Sequence, residues 1–326
     1  MANCSRRRLL HLAGLAALLS TRSRTVGAQT YPVRLVRLIV GFPAGGPNDT
    51  LARLMGQWLS GRLGAPFVVE NRPGGSGNIA TAAVARAPPD GYTLLLVGPA
   101  NAINASIHAS FDIDFMRDIA PVVGITREPL VMMVHPSVPA CTVAEFMDYA
   151  KANAGMVKMA STGWGSSPHL CGELFKMMTG IDLAVVQYAG GGPALGELIG
   201  GKAQVMFEPM SAAIDSIRAG QLRALAVTTA LRSRALPEVP TMGESVPGYE
   251  ASAVTGIGAP KKTSAEIVET LNREINAAFA DPQMKARLAA TGGTPLAGSP
   301  AEFGKVMAQE VEKWAKVVKL SGAKPN

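Results

Sequence analysis

Three turns rich in glycine and serine carry the residues of this chain that are best suited to hold a ligand. They span 41–49 (GFPAGGPND), 161–168 (STGWGSSP) and 188–193 (YAGGGP), each between a predicted strand and a predicted helix. Glycine lets the backbone approach a ligand closely, and amides at a helix start carry partial positive charge, so such turns bind anions. Any one of them is also explained as an ordinary strand-to-helix connection, whereas the three together predict an anion site.

Side chains near these turns add further candidates, each with a structural alternative. Glu208, at the end of a predicted strand, either meets a ligand amine or caps the following helix. Asp49 is predicted to cap the helix after the first turn rather than to act as an acid catalyst. Ser166 or Ser167 with His169 as the base is compatible with a serine hydrolase, but His169 is more simply explained as a histidine at a helix start that makes a local hydrogen bond.

Signatures of cofactor, metal and catalytic sites are missing from the sequence. The turns have neither the lysine of a phosphate-binding loop nor the spacing of a dinucleotide-binding motif. The G-x-S-x-G pattern of hydrolases does not occur, and His108, His135 and His169 share no metal-ligand spacing with one another or with cysteine. We therefore expect no cofactor and no metal, and a binding protein rather than an enzyme.

The first 28 residues have the features of an export signal. Residues 5–8 (SRRR) precede a short apolar run at 9–19, and 26–28 (VGA) is a small-residue cleavage site. The arginines fit a twin-arginine signal as well as the general secretory route. Cleavage near Ala28 predicts a periplasmic protein, and no later stretch has enough uninterrupted apolar sequence to span a bilayer.

The charge of the exported chain bears on its partners, and its two cysteines bear on whether it contains a disulfide. The five arginines of residues 1–28 leave with the signal, so 26 of the 31 basic residues remain against 24 acidic ones. This near balance, without a dense basic patch, argues against nucleic acid as a partner. Cys141 and Cys171 remain in the exported chain, where they either pair or stay free.

Apolar strands alternate with amphipathic helices along the exported chain, which is typical of a parallel α/β sheet covered on both faces. After strand-like runs at 121–125 and 130–134 a second set of such units begins, and past a proline-rich linker a strand and two helices complete the chain. We therefore predict two α/β lobes, 29–128 with 251–326 and 129–250, joined by hinge crossovers. Ligands bind at the carboxyl ends of parallel strands, so the predicted site is the central cleft between the lobes.

A series of motifs runs in order along the exported chain: FPAGG at 42–46 with Asp49, VENRPGG at 69–75, PDGYTL at 89–94, ASTG at 160–163 with HL at 169–170 and ELF at 173–175, LRALAVT at 222–228, LP at 236–237 with VPT at 239–241, and WAKVV at 314–318. In these motifs the chain resembles the substrate-binding receptors of tripartite tricarboxylate transporters, the Bug-type extracytoplasmic solute receptors. Any one motif is weak, but their number and order make the resemblance specific.

This resemblance implies a type II periplasmic binding fold that closes like a Venus flytrap on a small carboxylate, often a dicarboxylate or a related organic or amino acid. The receptor then presents its ligand to a membrane permease, and we predict that it is a monomer. The implied ligand contacts come from both lobes: Phe42, Ala44, Gly45, Gly46, Asp49, Asn101, Ser161, Thr162, Gly163, Gly165, Ser166, Tyr188, Gly190 and Glu208.

Two residues depart from the usual pattern of these receptors. Aspartate is common where Glu208 stands, and Trp164 places a bulky ring inside the second turn. Both change the predicted surroundings of the ligand, and the sequence is also compatible with a ligand of amino-acid type. A periplasmic sensor that signals to a membrane kinase uses the same cleft, so that alternative stays open as well.

Overall fold

The computed structural model describes residues 31–107, 112–290 and 292–321, and the predicted export signal at 1–28 lies outside them. Strands in the described part of the chain are β1 (Val36–Val40), β2 (Phe67–Asn71), β3 (Thr93–Val97), β4 (Ile119–Glu128), β5 (Leu130–Val134), β6 (Lys158–Ser161), β7 (Ala184–Gln187), β8 (Val205–Pro209), β9 (Arg223–Val227), β10 (Ala253–Pro260) and β11 (Thr294–Pro295).

The helices of these residues are α1 (Pro47–Leu63), α2 (Asn78–Ala85), α3 (Pro99–Ile107), α4 (Phe115–Asp118), α5 (Val143–Ala152), α6 (Ser167–Thr179), α7 (Gly191–Ile199), α8 (Met210–Arg218), α9 (Ala265–Ala278), α10 (Pro282–Ala290) and α11 (Pro300–Ser321). Short 3₁₀ helices lie at Gly75–Gly77 and Met242–Glu244. Within the described ranges, no helix combines the length and apolar character needed to cross a membrane.

The first sheet has the strand order β11-β4-β10-β3-β1-β2. Strand β1 is parallel to both β2 and β3, with Leu38 opposite Val69 on one side and Leu94 on the other. Strand β10 runs antiparallel between β3 and β4. Strand β3 is buried at every position. A central strand of this kind is covered on both faces, which explains its continuous apolar sequence.

The second sheet has the order β7-β6-β8-β5-β9. Strand β6 is parallel to β7 and β8, and β5 is antiparallel to β8 and β9. On one face Phe175 packs between Phe146 and Phe207, with ring centroids 6.3 and 6.0 Å away. Two mixed sheets flanked by helices confirm the predicted α/β fold with two lobes.

The chain passes between the sheets at two places. Strand β4 ends at Glu128 in the first sheet, and after Pro129 the chain begins β5 of the second. It returns between β9 and β10. The run predicted at 121–125 is therefore part of a longer strand that leads straight to the crossover. The lobe limits predicted from the sequence stay a prediction.

The carboxyl-terminal part of the chain differs from its prediction. Three helices, α9 to α11, replace the predicted two, because the short α10 buries only Met284 and Leu288 and shows a weak apolar pattern. Helix α11 contributes to both cores. Its first half packs Phe303 and Met307 against the first sheet, and its second half packs Trp314 with the helices of the second sheet. This helix thus connects the two cores on one side of the molecule.

Both cysteines of the exported chain are free thiols. Cys141 is exposed and Cys171 is buried. The Cys171 carbonyl oxygen accepts a hydrogen bond from the Tyr249 hydroxyl at 2.9 Å. Of the two alternatives for the cysteine pair, the structure has the unpaired one.

Trp314 gives a test of the role of α11. Its ring is fully buried, and its Nε1 donates to Glu310 Oε2 at 3.0 Å. Trp314→Ala should lower the free energy of unfolding by about 3–5 kcal/mol, the usual cost of truncating a large core aromatic. Urea unfolding followed by circular dichroism measures this, with Lys316→Ala as the exposed control on the same helix. Equal unfolding midpoints for the two variants would contradict the assignment.

Candidate functional site

The carboxylate of Asp49 holds the first turn in shape. It accepts hydrogen bonds from the Gly45 amide at 2.9 Å, from Arg53 Nε at 2.9 Å and from Asn71 Nδ2 at 3.0 Å. Asn71 also donates to the Phe42 carbonyl oxygen at 3.0 Å. The hydrogen bond from Arg53 is the largest cause that lowers the pKa of Asp49 to about 2. Asp49 is therefore a carboxylate at neutral pH, and its bonds are made within and beside the turn.

This geometry corrects one prediction for the first turn. Asp49 does not cap α1, because Gly46 holds the N-cap position and no side chain caps it. The Gly45 amide donates to Asp49, and the predicted ligand contact of Gly45 stays a prediction. The start of α1 still presents backbone donors, since the first amides of a helix have no intrahelical acceptor. Ala44 and Gly46 lie directly at this uncapped start.

The carboxyl ends of β1, β2 and β3 meet at the first turn. Gly41 approaches the start of α2 so closely that a Cβ on it would lie 2.8 Å from Gly77 Cα. The ring of Phe42 lies 3.8 Å from the place of a Cβ on Gly77, whose φ of 92° also favours glycine. Asn48 Oδ1 is similarly 3.9 Å from a Cβ built on Gly98. The structure thus brings three strand ends of the first lobe to one edge.

Asn101 lies at this edge but uses its side chain within the first lobe. Its Oδ1 accepts from the Gly98 amide at 2.7 Å, and its Nδ2 donates to Thr81 Oγ1 at 2.8 Å. It lines a cavity of about 350 Å³ together with Asn78 and Asn104. These bonds hold α3 against α2, and the predicted ligand contact of Asn101 stays a prediction.

The second turn is fixed by its own hydroxyl groups. Ser166 Oγ caps α6 by accepting from the His169 amide at 3.3 Å, and it donates to the Gly163 carbonyl oxygen at 2.8 Å. Thr162 Oγ1 in turn donates to Ser166 Oγ at 2.9 Å. The hydroxyls predicted as ligand donors therefore shape the backbone of the turn.

The second turn contacts the third turn on one side and helix α3 of the first lobe on the other. The buried Ser161 accepts from the Tyr188 amide at 2.9 Å through its carbonyl oxygen, which joins the second turn to the third. A Cβ on Gly165 would lie 2.7 Å from Ile107 Cδ1, so the turn packs against α3 of the first lobe. Trp164 is 44% exposed on the same turn. The structure therefore brings the edges of both lobes together here.

His169 lacks the geometry of a catalytic base. Its Nδ1 accepts from the Gly165 amide at 3.1 Å, so the neutral ring carries its proton on Nε2. Burial, and then the charge of Lys176, lower its pKa to about 4. Ser166 Oγ meanwhile donates to a carbonyl oxygen rather than to the imidazole. Ser166 and His169 form a helix cap, and the catalytic pairing of these two residues is wrong.

The third turn opens α7 without a side-chain cap. Gly190 holds the N-cap position with a φ of 109°, and no side chain accepts from the first amides of the helix. Gln187, the last residue of β7, accepts from the Gly163 amide at 3.1 Å through Oε1. Its Nε2 is buried and has no hydrogen-bond partner among the described residues. Tyr188 is partly buried beside it.

Glu208 is a buried carboxyl group beside this helix start. The residue is 6% exposed, and a Cβ on Gly191 would lie 2.8 Å from its Oε1. Its Oε2 is buried and meets no hydrogen-bond partner in the described part of the chain. Burial, and then the charge of Glu128, raise its pKa to about 8. Glu208 is therefore largely neutral at pH 7.

The capping role considered for Glu208 belongs to Glu128, which the sequence prediction missed. Helix α8 has Pro209 as its N-cap without a side-chain bond, and Glu128 Oε1 accepts from the Ser211 amide at 2.8 Å. Glu128 lies at the end of β4, directly before the crossover at Pro129. The sequence signal was an acidic residue before proline at the end of an apolar strand.

A cavity of about 840 Å³ lies between the lobes, with α1 on one side and α8 on the other. Its lining includes the polar residues Thr126, Glu128, Ser211 and Thr255. It also includes the apolar residues Leu51, Leu54, Ile214 and Leu288, and the arginines Arg53, Arg218 and Arg287. Of the predicted ligand contacts, Gly45 is the one that lines this cavity. The structure describes no cluster of three or more histidine, cysteine or acidic residues in its ranges that suits a metal ion.

Comparison with known proteins gives a consistent result. Residues 51–323 match the model of the tripartite tricarboxylate transporter family receptor. The chain is 38% identical to protein BugT of Bordetella pertussis over 97% of this chain and 98% of that protein. A Rhodopseudomonas palustris protein solved with adipate is 37% identical, with a TM-score of 0.84 over 91% of this chain and 100% of that one. MatC from Rhodopseudomonas palustris, with bound malate, is 29% identical, with a TM-score of 0.79 over 88% and 100%.

The bonds of Asp49 predict a specific dependence of stability on pH. Its pKa is lowered on folding, so its contribution is present above the ordinary value near 3.8 and is lost as the pH falls through about 2. Asp49→Asn should lower the free energy of unfolding by about 1–3 kcal/mol at pH 7, because it breaks charge-assisted bonds. The difference from wild type should shrink toward pH 2. Urea unfolding of both proteins at pH 7, 4 and 2.5 measures the loss of stability at pH 7 and its decrease at low pH.

Glu312→Gln is the control for this measurement. Glu312 pairs with Lys316 at 2.9 Å on the surface of α11, where both side chains are about 70% exposed. Exposed ion pairs contribute little to stability, so its removal should leave the unfolding midpoint nearly unchanged. A difference between Asp49→Asn and wild type that stays constant across the pH range would contradict the role given to the Asp49 charge.

Proposed function

The chain belongs to the family of tripartite tricarboxylate transporter receptors, and from this premise we propose that it binds a small carboxylate between its lobes and delivers it to a membrane permease. Proteins of this family are periplasmic solute receptors and not enzymes. The family resemblance and the expectation of a binding protein are therefore confirmed. The ligand class and the permease are the parts that we propose.

The observation that carries the proposal is the pair of uncapped helix starts at α1 and α7. Helix α1 follows the parallel strand β1 and α7 follows the parallel strand β7, and these two strands belong to different sheets. An anion with a carboxylate at each end satisfies both helix starts when the lobes close. Solved relatives with adipate and with malate support this ligand class, since both ligands are dicarboxylates.

We propose two kinds of role for the predicted contact residues. The ligand meets backbone groups of the turns at Phe42, Ala44, Gly46 and Thr162, and the side chains of Tyr188 and Glu208. The remaining residues of the set hold these turns in shape, as their hydrogen bonds support: Gly45, Asp49, Asn101, Ser161, Gly163, Gly165, Ser166 and Gly190.

Closure of the lobes is the proposed mechanism of capture. Contacts made by both lobes stabilise the closed form only when the ligand is present, so affinity depends on how much better that form holds it. The short crossover at Pro129 and the return after β9 are the segments about which the lobes turn. The closed receptor then meets the permease. We further propose that the chain is exported with cleavage near Ala28 and acts as a monomer.

Isothermal titration calorimetry with a panel of carboxylates tests the ligand class. Succinate, malate, adipate, citrate, hexanoate and aspartate are titrated into the purified exported chain. At least one dicarboxylate should bind one per chain, and at a hundred times its dissociation constant it should stabilise the protein by about 2.7 kcal/mol. No saturable heat with any member, and no rise in the melting temperature, would refute the proposed function.

Gly45 allows a matched test of the first turn. Gly45 has a φ of 84°, and Gly64 at the other end of α1 has a φ of 70°; neither has an atom within 4 Å of a Cβ built on it. Leucine at either position should cost about 1–2 kcal/mol of stability through the same backbone strain. Only Gly45→Leu should also weaken binding of the best dicarboxylate, by about tenfold or more. Equal affinities of the two variants would show that the turn is merely a connection.

A further inference from the structure

Glu208 has a polar atom that the rest of the described protein leaves unsatisfied. Buried polar atoms in folded proteins nearly always have a partner, so an unpaired one points to a group that binds there. The Oε2 of Glu208 is such an atom, and Oε1 lies against Gly191 at the start of α7. A buried carboxyl group with one oxygen that lacks a hydrogen-bond partner therefore lies beside the uncapped start of α7, a helix of nine residues.

The surroundings of Glu208 decide which form of its carboxyl group is present. Strand β5 places Val131 opposite it, and α7 presents the backbone of Gly191. Of the charged groups in the described residues, Glu128 at the end of β4 is the one whose charge acts on Glu208, and it is also an acid. With no cation beside it, the carboxyl group keeps its proton at neutral pH.

Other charged side chains on the elements around Glu208 are engaged elsewhere or lie on other turns. Glu197, on α7, pairs with Lys202 at 2.9 Å, and Glu173, on α6, pairs with Lys176 at 3.1 Å. Lys158 is exposed at the start of β6. Asp215 and Arg218, on α8, line the interlobe cavity one and two turns after the start of that helix. Glu128 is itself bonded to the Ser211 amide, and burial raises its pKa as well.

We propose that Glu208 determines ligand specificity by donating a hydrogen bond from its neutral carboxyl group to the second carboxylate of a dicarboxylate ligand. The amides at the start of α7 donate to the same carboxylate. This inference rests on the proposed function and names the ligand class of that site: dicarboxylates without an ammonium group at the end that meets Glu208. An ammonium group there would face the positive end of α7, which disfavours it.

The proposal implies that binding keeps a proton on Glu208. A hydrogen bond from a neutral acid to a carboxylate is short and charge-assisted, and it is lost when the donor ionises. Affinity for a dicarboxylate should therefore be constant below the pKa of the free receptor, about 8, and should fall by about tenfold for each pH unit well above it.

Calorimetry at pH 6, 7, 8 and 9 tests this with adipate, 6-aminohexanoate and hexanoate, three ligands of nearly equal length. Wild type should bind adipate at least tenfold more tightly than 6-aminohexanoate or hexanoate at pH 7. Glu208→Ala should weaken adipate binding by about 10- to 100-fold, the usual effect of losing a hydrogen bond to a charged group. Glu208→Gln should bind adipate less tightly than wild type, with an affinity that no longer changes between pH 7 and 9.

The controls separate this inference from the proposed function. Glu238→Gln, at an exposed acid in the linker before β10, should keep the pH profile of wild type. If wild type binds no carboxylate of the panel, the proposed function fails. If adipate binds but Glu208→Ala leaves its affinity and pH profile unchanged, or if 6-aminohexanoate binds more tightly than adipate, only the role of Glu208 is overturned. Thermal melting of each variant shows whether it is folded.

Discussion

The edge of the first lobe where β1, β2 and β3 end depends on the buried carboxylate of Asp49. One side chain satisfies the amide of Gly45, the guanidinium of Arg53 and the amide of Asn71, and so ties the first turn to α1 and to the end of β2. Asp49 makes these bonds within and beside the turn, and the start of α1 has no side-chain cap. The charge of Asp49 thus fixes the shape of the turn, and under the proposed function the ligand meets the helix start instead.

In the second lobe, different groups hold the turns in shape. Its turns are fixed by Ser166 and Gln187, while the start of α7 has no side-chain cap. In the described ranges, His169, Gln187 and Glu208 of this lobe each have a buried polar atom without a hydrogen-bond partner. Such atoms cost free energy in the empty protein, and a bound ligand or ordered water that satisfies them is stabilised accordingly.

The sequence predicted the architecture well and the roles of single side chains less well. Continuous apolar runs such as β3 located the strands, and Gly41, in the first glycine-rich turn, makes a real close contact with the backbone of Gly77. The sequence could not show that Asp49 accepts a hydrogen bond from Asn71, because hydrogen bonds between a turn and a neighbouring strand depend on tertiary packing. For the same reason Glu128 was missed: its acceptor role for α8 exists only because the crossover at Pro129 brings the two elements together. The sequence did not predict helix α10, because this helix buries only Met284 and Leu288 and so has no clear apolar stripe.

A crystal structure of the exported chain with a bound dicarboxylate is the most direct test of the central claim, that two uncapped helix starts hold one ligand between the lobes. The account predicts one carboxylate within about 2.7–3.2 Å of backbone amides at the start of α1, and the other at the same range from the start of α7 and from Glu208. A dicarboxylate held by arginine side chains, or one bound outside the space between the lobes, would contradict it.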